Sequence, residues 1–135
     1  MEDLIKITPN NEKARSILKM VDITLEMIGQ IDNKKFPSNV IKEYYETVRE
    51  LMSIILLLDG FKIVGENAHK RLIEYLKLNY KQFGGSEISF IDDLRVLRNK
   101  IAYDGFFVEK DYLDRKLEDI NKIINKLKII IEKKK

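Results

Sequence analysis

Cysteine is absent from the 135 residues. Its absence excludes disulfides, thiolate zinc sites, iron–sulfur clusters and cysteine nucleophiles. Histidine occurs once, at His69, so no His-rich metal site arises within one protomer, and any His-dependent nucleophile is limited to what His69 reaches. Neither a metal nor a cofactor is expected. Two prolines and six glycines are too few for a collagen-like or linker-like chain. Charge of one sign is scarce as well. The 25 basic and 22 acidic side chains leave +3, and Lys133, Lys134 and Lys135 account for all of it. That excludes the global basic field of a strong nucleic-acid binder, so contact with a polyanion would need a local patch. The longest wholly apolar run covers only residues 54–58, far short of a bilayer span. Residues 1–6 are acidic and carry no apolar signal region. The expectation is a cytoplasmic protein without membrane association.

What is present is apolar periodicity. Hydrophobic residues make up 44% and charged residues 35%, enough apolar material for one buried core under a charged surface. Apolar positions recur at helical spacing in five segments, with no convincing strand alternation. The first opens at Thr8-Pro9 with Pro in the first turn, carries Ala14, Ile17, Leu18, Val21, Leu25 and Ile28, and ends by Asn33. Phe36-Pro37-Ser38 breaks the pattern, with Ser38 as N-cap of the second segment, which stops at Asp59-Gly60. Residues 61–65 read as a connector. Segments follow at 66–81, 87–103, closed by Asp104-Gly105, and 109–132. In the last, Leu113, Leu117, Ile120, Ile124, Leu127 and Ile131 alternate spacings of four and three, a coiled-coil seam widened by Ile123 and Ile130. Residues 133–135 read as a disordered tail. With no internal repeat and no domain boundary, residues 1–135 form a single domain, an all-α up-down bundle of four to five helices.

The second segment is apolar nearly all round: from Leu51 to Leu58 only Ser53 is polar. Two arrangements satisfy that surplus equally, a central helix surrounded by the others or a homodimer that buries a second face.

The densest polar cluster on an apolar helix ends in Leu97-Arg98-Asn99-Lys100-Ile101-Ala102-Tyr103-Asp104-Gly105. This stretch resembles the end-of-helix motif of the HEPN superfamily (higher eukaryotes and prokaryotes nucleotide-binding domain), in which an Arg and a polar neighbour are followed by a His four to six residues on. Arg98 matches the Arg and Asn99 the neighbour. Four residues separate Arg98 from the His position, which holds Tyr103. The resemblance implies a HEPN-like helical bundle, commonly dimeric with two motifs facing across a cleft. It implies an RNA- or nucleotide-binding protein of the toxin–antitoxin or defence type, working beside a minimal nucleotidyltransferase. In such metal-independent ribonucleases a ribose 2′-hydroxyl attacks the adjacent phosphate, the Arg neutralises the growing charge and the His moves protons. With Arg98 and Tyr103 in the catalytic positions, cleavage is impaired. An ordinary tyrosine has a pKa of about 10, so about one in a thousand is deprotonated at pH 7. A tyrosine instead stacks on a base or donates a hydrogen bond to phosphate. The implied ligand-binding residues are Arg95, Arg98, Asn99 and Tyr103. The competing class is a non-catalytic adaptor dimer, in which Arg98 merely pairs with an acid such as Asp92 or Asp93.

Helical geometry adds a constraint. At about 100° per residue, Arg98 flanks the stripe of Phe90, Leu94, Leu97 and Ile101, with Arg95 one turn back. Tyr103 points about 140° away from Arg98, so the two meet only if the helix breaks near Tyr103 or a second protomer supplies one of them. His69, at the start of the third segment, reads as a packing or surface residue whose protonation the helix end disfavours. Tyr44, Tyr45, Tyr75, Tyr80, Phe106 and Phe107 are candidate stacking platforms, though their spacing favours core packing. Glu43, Glu46 and Glu50 read as a solvated face, with Glu46 and Glu50 paired to Lys42 and Arg49.

Overall fold

The 23 residues from Pro37 to Asp59 form the axis of the fold. The structure, a computed structural model, describes residues 3–134. Its elements in chain order are β1 (Asp3–Lys6), α1 (Asn11–Gln30), α2 (Pro37–Asp59), β2 (Phe61–Val64), α3 (Ala68–Asn79), α4 (Gly85–Asp104) and α5 (Lys110–Lys134). The described residues are therefore mostly helical, a five-helix bundle with a small two-stranded sheet.

Helix α2 buries side chains on nearly every side, among them Val40, Ile41, Tyr45, Val48, Leu51, Ile54 and Ile55. Helices α1, α3, α4 and α5 and strand β2 all pack on it. Each large apolar side chain so buried contributes about 1.5–3 kcal/mol. The surplus apolar surface of α2 is accounted for within one chain, as the central-helix arrangement requires. The wide face of α5 is spent the same way: Leu113, Ile120, Ile123, Ile124, Leu127, Ile130 and Ile131 are all buried. Helix α4 buries Ile91 and Leu94, whereas Phe90, Leu97 and Ile101 are only partly covered.

Helix boundaries follow local chemistry, not always as the sequence pattern predicts. Helix α1 starts two residues beyond Pro9: Asn10 is the N-cap, its Oδ1 accepting from the Lys13 N–H at 2.9 Å. Helix α2 starts with Pro37 in its first turn, where a missing N–H costs nothing. Ser38 is therefore inside the helix and is not its N-cap. Its Oγ accepts from the Val108 N–H at 2.7 Å, tying the segment after α4 to the start of α2. The predicted stops at Asp59-Gly60 and Asp104-Gly105 hold, with Gly60 and Gly105 left-handed at φ 86° and 65°.

The expectation of no strand is corrected. β1 and β2 pair antiparallel, with Leu4 opposite Ile63 and Lys6 opposite Phe61. Four residues are too few to show a two-residue period, and the partners lie almost sixty positions apart in the chain. The pairing continues as Ile7 N–H donates to the Gly60 carbonyl at 2.8 Å. The disordered tail is corrected too. Lys133 and Lys134 complete α5, and Lys134 Nζ lies 2.6 Å from Asp59 Oδ1. Lys135 lies outside the described residues.

Gly60 joins two constraints, since a Cβ there would sit 3.1 Å from the Ile7 carbonyl oxygen and 3.3 Å from Pro9 Cγ, at a φ that side chains resist. Gly60→Ala is expected to destabilise the fold by about 1–3 kcal/mol, read as a lower urea midpoint with an unchanged slope.

Candidate functional site

Arg98 projects from the last two turns of α4, with its side chain 19% exposed. Its Nη2 lies 2.9 Å from Glu46 Oε1 on α2. The contact is ionic without the angles of a hydrogen bond, and Glu46 Oε1 has no hydrogen-bond partner. Nη1 donates to Asn99 Oδ1 at 3.2 Å and to Tyr103 Oη at 3.4 Å. The guanidinium carbon stands 5.8 Å from the centroid of the Tyr103 ring. The two side chains thus meet within one protomer, with the helix running one residue past Tyr103. The helix ends at Asp104-Gly105, immediately after Tyr103, which is the nearby break the sequence called for, and no second chain is needed. A 3.4 Å hydrogen bond is weak. Tyr103 itself is 73% exposed, a phenol at the surface with one ring face toward a cation.

Glu46 is held from two directions. Arg49 donates to its Oε2 from Nε at 3.0 Å and from Nη2 at 2.9 Å, and Nη2 also reaches Glu50 Oε1 at 2.7 Å. Pairing of Glu46 and Glu50 with Arg49 follows the expected local pattern. The link from Glu46 across to Arg98 does not, because it joins two helices. Asp92 and Asp93 are not Arg98's partners: Asp92 Oδ1 accepts from Arg95 Nε at 2.9 Å, one turn back on α4. Asn99 turns its carboxamide oxygen to Arg98 and so buttresses the guanidinium.

His69, the second residue of α3, comes to the same neighbourhood. Its ring centroid is 6.2 Å from that of Tyr45 on α2. Burial holds the imidazole below its ordinary value of 6.5, and the charge of Arg49 pushes the same way; Arg98 and Arg95 add to this, while Glu46 opposes it. The cause is therefore desolvation and neighbouring guanidinium groups, where the sequence suggested the helix end. Tyr45 is fully buried, and burial pushes its hydroxyl up to about 12. Among the described residues, the buried side-chain atoms without a hydrogen-bond partner are Glu43 Oε2, Tyr45 Oη, Glu46 Oε1 and Arg98 Nε. All four come from one turn of α2 and from the arginine facing it. Unsatisfied buried polar atoms cost about 1–3 kcal/mol each, so they concentrate where a structure serves something besides stability.

Sequence reasoning missed Glu46, Arg49 and Tyr45 as members of this cluster. Spacings of three and four along Glu43, Glu46 and Glu50 show that they share a face; nothing local shows that α4 lies over it. The aromatic residues divide in a way the periodicity does not predict. Tyr45 and Tyr75 are buried and Tyr44 and Tyr80 half-buried, as core packing requires. Phe106 and Phe107 are 49% and 82% exposed, so they are not core residues. With Val96, Leu97 and Tyr112 they line a groove of about 640 Å³ beside the end of α4.

No helix among the described residues is long and apolar enough to cross a membrane, and no group of acidic and histidine side chains among them is arranged to hold a metal ion. Compared with models of known protein families and with the curated proteins, the chain matches none.

The surroundings of His69 have a measurable consequence. The folded chain holds the imidazole proton less readily than the unfolded chain does. The neutral ring therefore contributes stability that is full above pH 6.5 and is lost as pH falls from there through the lowered value. As the sole histidine, His69 gives one imidazole signal in an NMR titration, with a midpoint expected below 6.5. His69→Gln is expected to flatten the change in stability between about pH 7 and pH 5.

Proposed function

We propose that the chain is a HEPN-like domain that binds the phosphate of RNA or of a nucleotide through Arg98, without efficient cleavage, as a homodimer of the toxin–antitoxin or defence type. The observation that carries this reading is the meeting of Arg98, Asn99 and the exposed Tyr103 at the end of α4. Glu46 takes Nη2 and orients the guanidinium, while Nη1 is left on two neutral acceptors, one at 3.2 Å and one at 3.4 Å. A phosphate oxygen is a stronger acceptor than either, so it displaces them at small cost. Tyr103 is then free to stack on a base or to donate to the same phosphate. Arg95 adds positive potential from one turn away, reduced by Asp92.

Cleavage is a different matter. Where the family's motif has an imidazole, this chain has a phenol, and His69 packs on Tyr45 in surroundings that oppose its protonation. The proton transfers of a metal-independent ribonuclease have no well-placed carrier. The resemblance also implies a minimal nucleotidyltransferase as protein partner. The dimer finds support in the exposed Phe106 and Phe107 beside Tyr103, an apolar patch larger than single scattered residues provide.

A second reading rests on the Arg98–Glu46 pair itself. It joins α2 to α4, as it would in an adaptor that binds no ligand. Two substitutions separate the readings. Arg98→Ala is expected to weaken salt-sensitive binding of a labelled RNA by about tenfold or more, whereas Glu46→Gln, which keeps an oxygen to orient Nη2 and removes only the competing charge, leaves it unchanged or stronger. RNA binding indifferent to Arg98, with only thermal stability lowered, would instead establish the adaptor. For the oligomeric state, light scattering at micromolar protein is expected to show a dimer that Phe107→Glu dissociates, and a monomer before substitution would contradict the assembly.

A further inference from the structure

A second groove, of about 310 Å³, opens between α1, α2, β2 and α3. Lys13 from α1, Arg49 and Ser53 from α2, Lys62 from β2 and His69 from α3 line it, with Phe61 on its apolar side and no carboxylate in its wall. Four elements distant in sequence thus deliver three cations, an imidazole and a hydroxyl to one concavity. Arg49 is already paired with Glu46 and Glu50, so the local excess of positive charge comes from Lys13 and Lys62.

The members of the groove are not consumed by one another. Among the described residues, Lys13 and Lys62 form no ion pair, unlike Lys110, Lys122, Lys126, Lys128 and Lys134. Arg49 spends Nε and Nη2 on Glu46 and Glu50, and Nη1 makes none of these bonds. Ser53 is the one polar residue between Leu51 and Leu58 and is half-buried. Its hydroxyl has no hydrogen-bond partner among the described residues, although Thr47, two turns earlier, bonds back to the Glu43 carbonyl at 2.9 Å. A hydroxyl on an otherwise apolar helix face, opening onto a cationic concavity, is arranged to donate outward.

We propose that this groove binds a nucleoside 5′-monophosphate, with the phosphate held by Lys13, Arg49, Lys62 and Ser53 and the base laid against the apolar side at Phe61. Charge complementarity fixes the anionic group, and a donor set of ammonium, guanidinium and hydroxyl suits the oxygens of a phosphate. The volume lies at the low end of small-molecule sites, roughly 300–1,000 Å³, and is too small for a folded partner. The site is distinct from the end of α4 and does not depend on the proposal made for Arg98. Glu46 bridges the two, pairing with Arg49 and Arg98 alike.

The test uses the full chain, titrated with AMP, UMP and inorganic phosphate by calorimetry while the His69 imidazole signal is followed by NMR. Lys13→Glu and Lys62→Glu change exposed side chains, and circular dichroism checks that each variant remains folded. Saturable binding of AMP or UMP that shifts the His69 signal is expected, with weaker binding of phosphate alone. Each Glu substitution is expected to weaken nucleotide binding in the groove, read with the shift of the His69 signal, by about tenfold. The site is disproved if neither nucleotide binds saturably or if binding survives both Glu substitutions. Phosphate binding as tightly as AMP would overturn the nucleoside assignment. A loss confined to Arg98→Ala would move the nucleotide to the end of α4, overturning this groove while supporting the first proposal.

Discussion

One carboxylate shared between two guanidinium groups organises the polar side of this molecule. Glu46 takes two hydrogen bonds from Arg49 on its own helix and an ionic contact from Arg98 across the α2–α4 interface. Such a pair, one-fifth to one-third exposed, contributes modestly to stability, because solvent still screens it and both arginines surrender rotamer freedom. Its larger effect is directional. A guanidinium fixed at Nη2 has its plane and its remaining donors fixed as well, so the position of Nη1 beside Tyr103 follows from the placement of Glu46. The same carboxylate sets where Arg49 stands in the groove beside His69.

Glu46 is placed so firmly because α2 has no freedom to rotate. Its apolar residues face four helices and a strand, and turning it by one residue would expose a leucine or isoleucine on one side while burying a charge on another. The far end of α2 is pinned by comparable chemistry. Asp59 Oδ2 accepts from Tyr75 at 2.8 Å and Tyr80 at 2.5 Å, and Oδ1 meets Lys134 at 2.6 Å. Burial and that carboxylate push both tyrosine hydroxyls far above their ordinary value, so they stay donors throughout the neutral range. A greasy helix with one shared carboxylate near its middle and another at its C-terminal end resists both sliding and rotation.

The surroundings of these carboxylates also show where a sequence is legible. The stripes on α1, α2 and α5 follow from local period, and Gly60 and Gly105 from the need for a left-handed residue at a helix end. Features that depend on distant partners do not follow from local pattern. Ser38 looks like a cap because Pro37 precedes it, yet Val108, seventy residues away, claims its hydroxyl. Lys133 and Lys134 look like a frayed tail because three lysines stand together, yet Asp59 and the ring of Tyr80 hold Lys134. The strands escape notice since each is four residues long. Arg98, Asn99 and Tyr103 stand out by spacing, but an angular wheel places Arg98 and Tyr103 apart because it follows Cα directions and ignores the reach of two long side chains.

Net charge hides what matters most here. The formal +3 arises from three terminal lysines, which suggests that the rest of the chain is electrostatically bland. The structure sorts those balanced charges unevenly. Glu46, Glu50, Asp59, Glu87 and Asp92 are engaged by cations, each carboxylate drawing its field inward onto a partner. Acidic residues so engaged no longer oppose an anion elsewhere, whereas Lys13 and Lys62 form no ion pair at the groove among the described residues. Because the Debye length is about 8 Å at physiological ionic strength, an approaching phosphate responds to that local excess and not to the sum over the chain. A formally near-neutral protein can therefore present an anion site wherever its carboxylates have been committed to holding helices together.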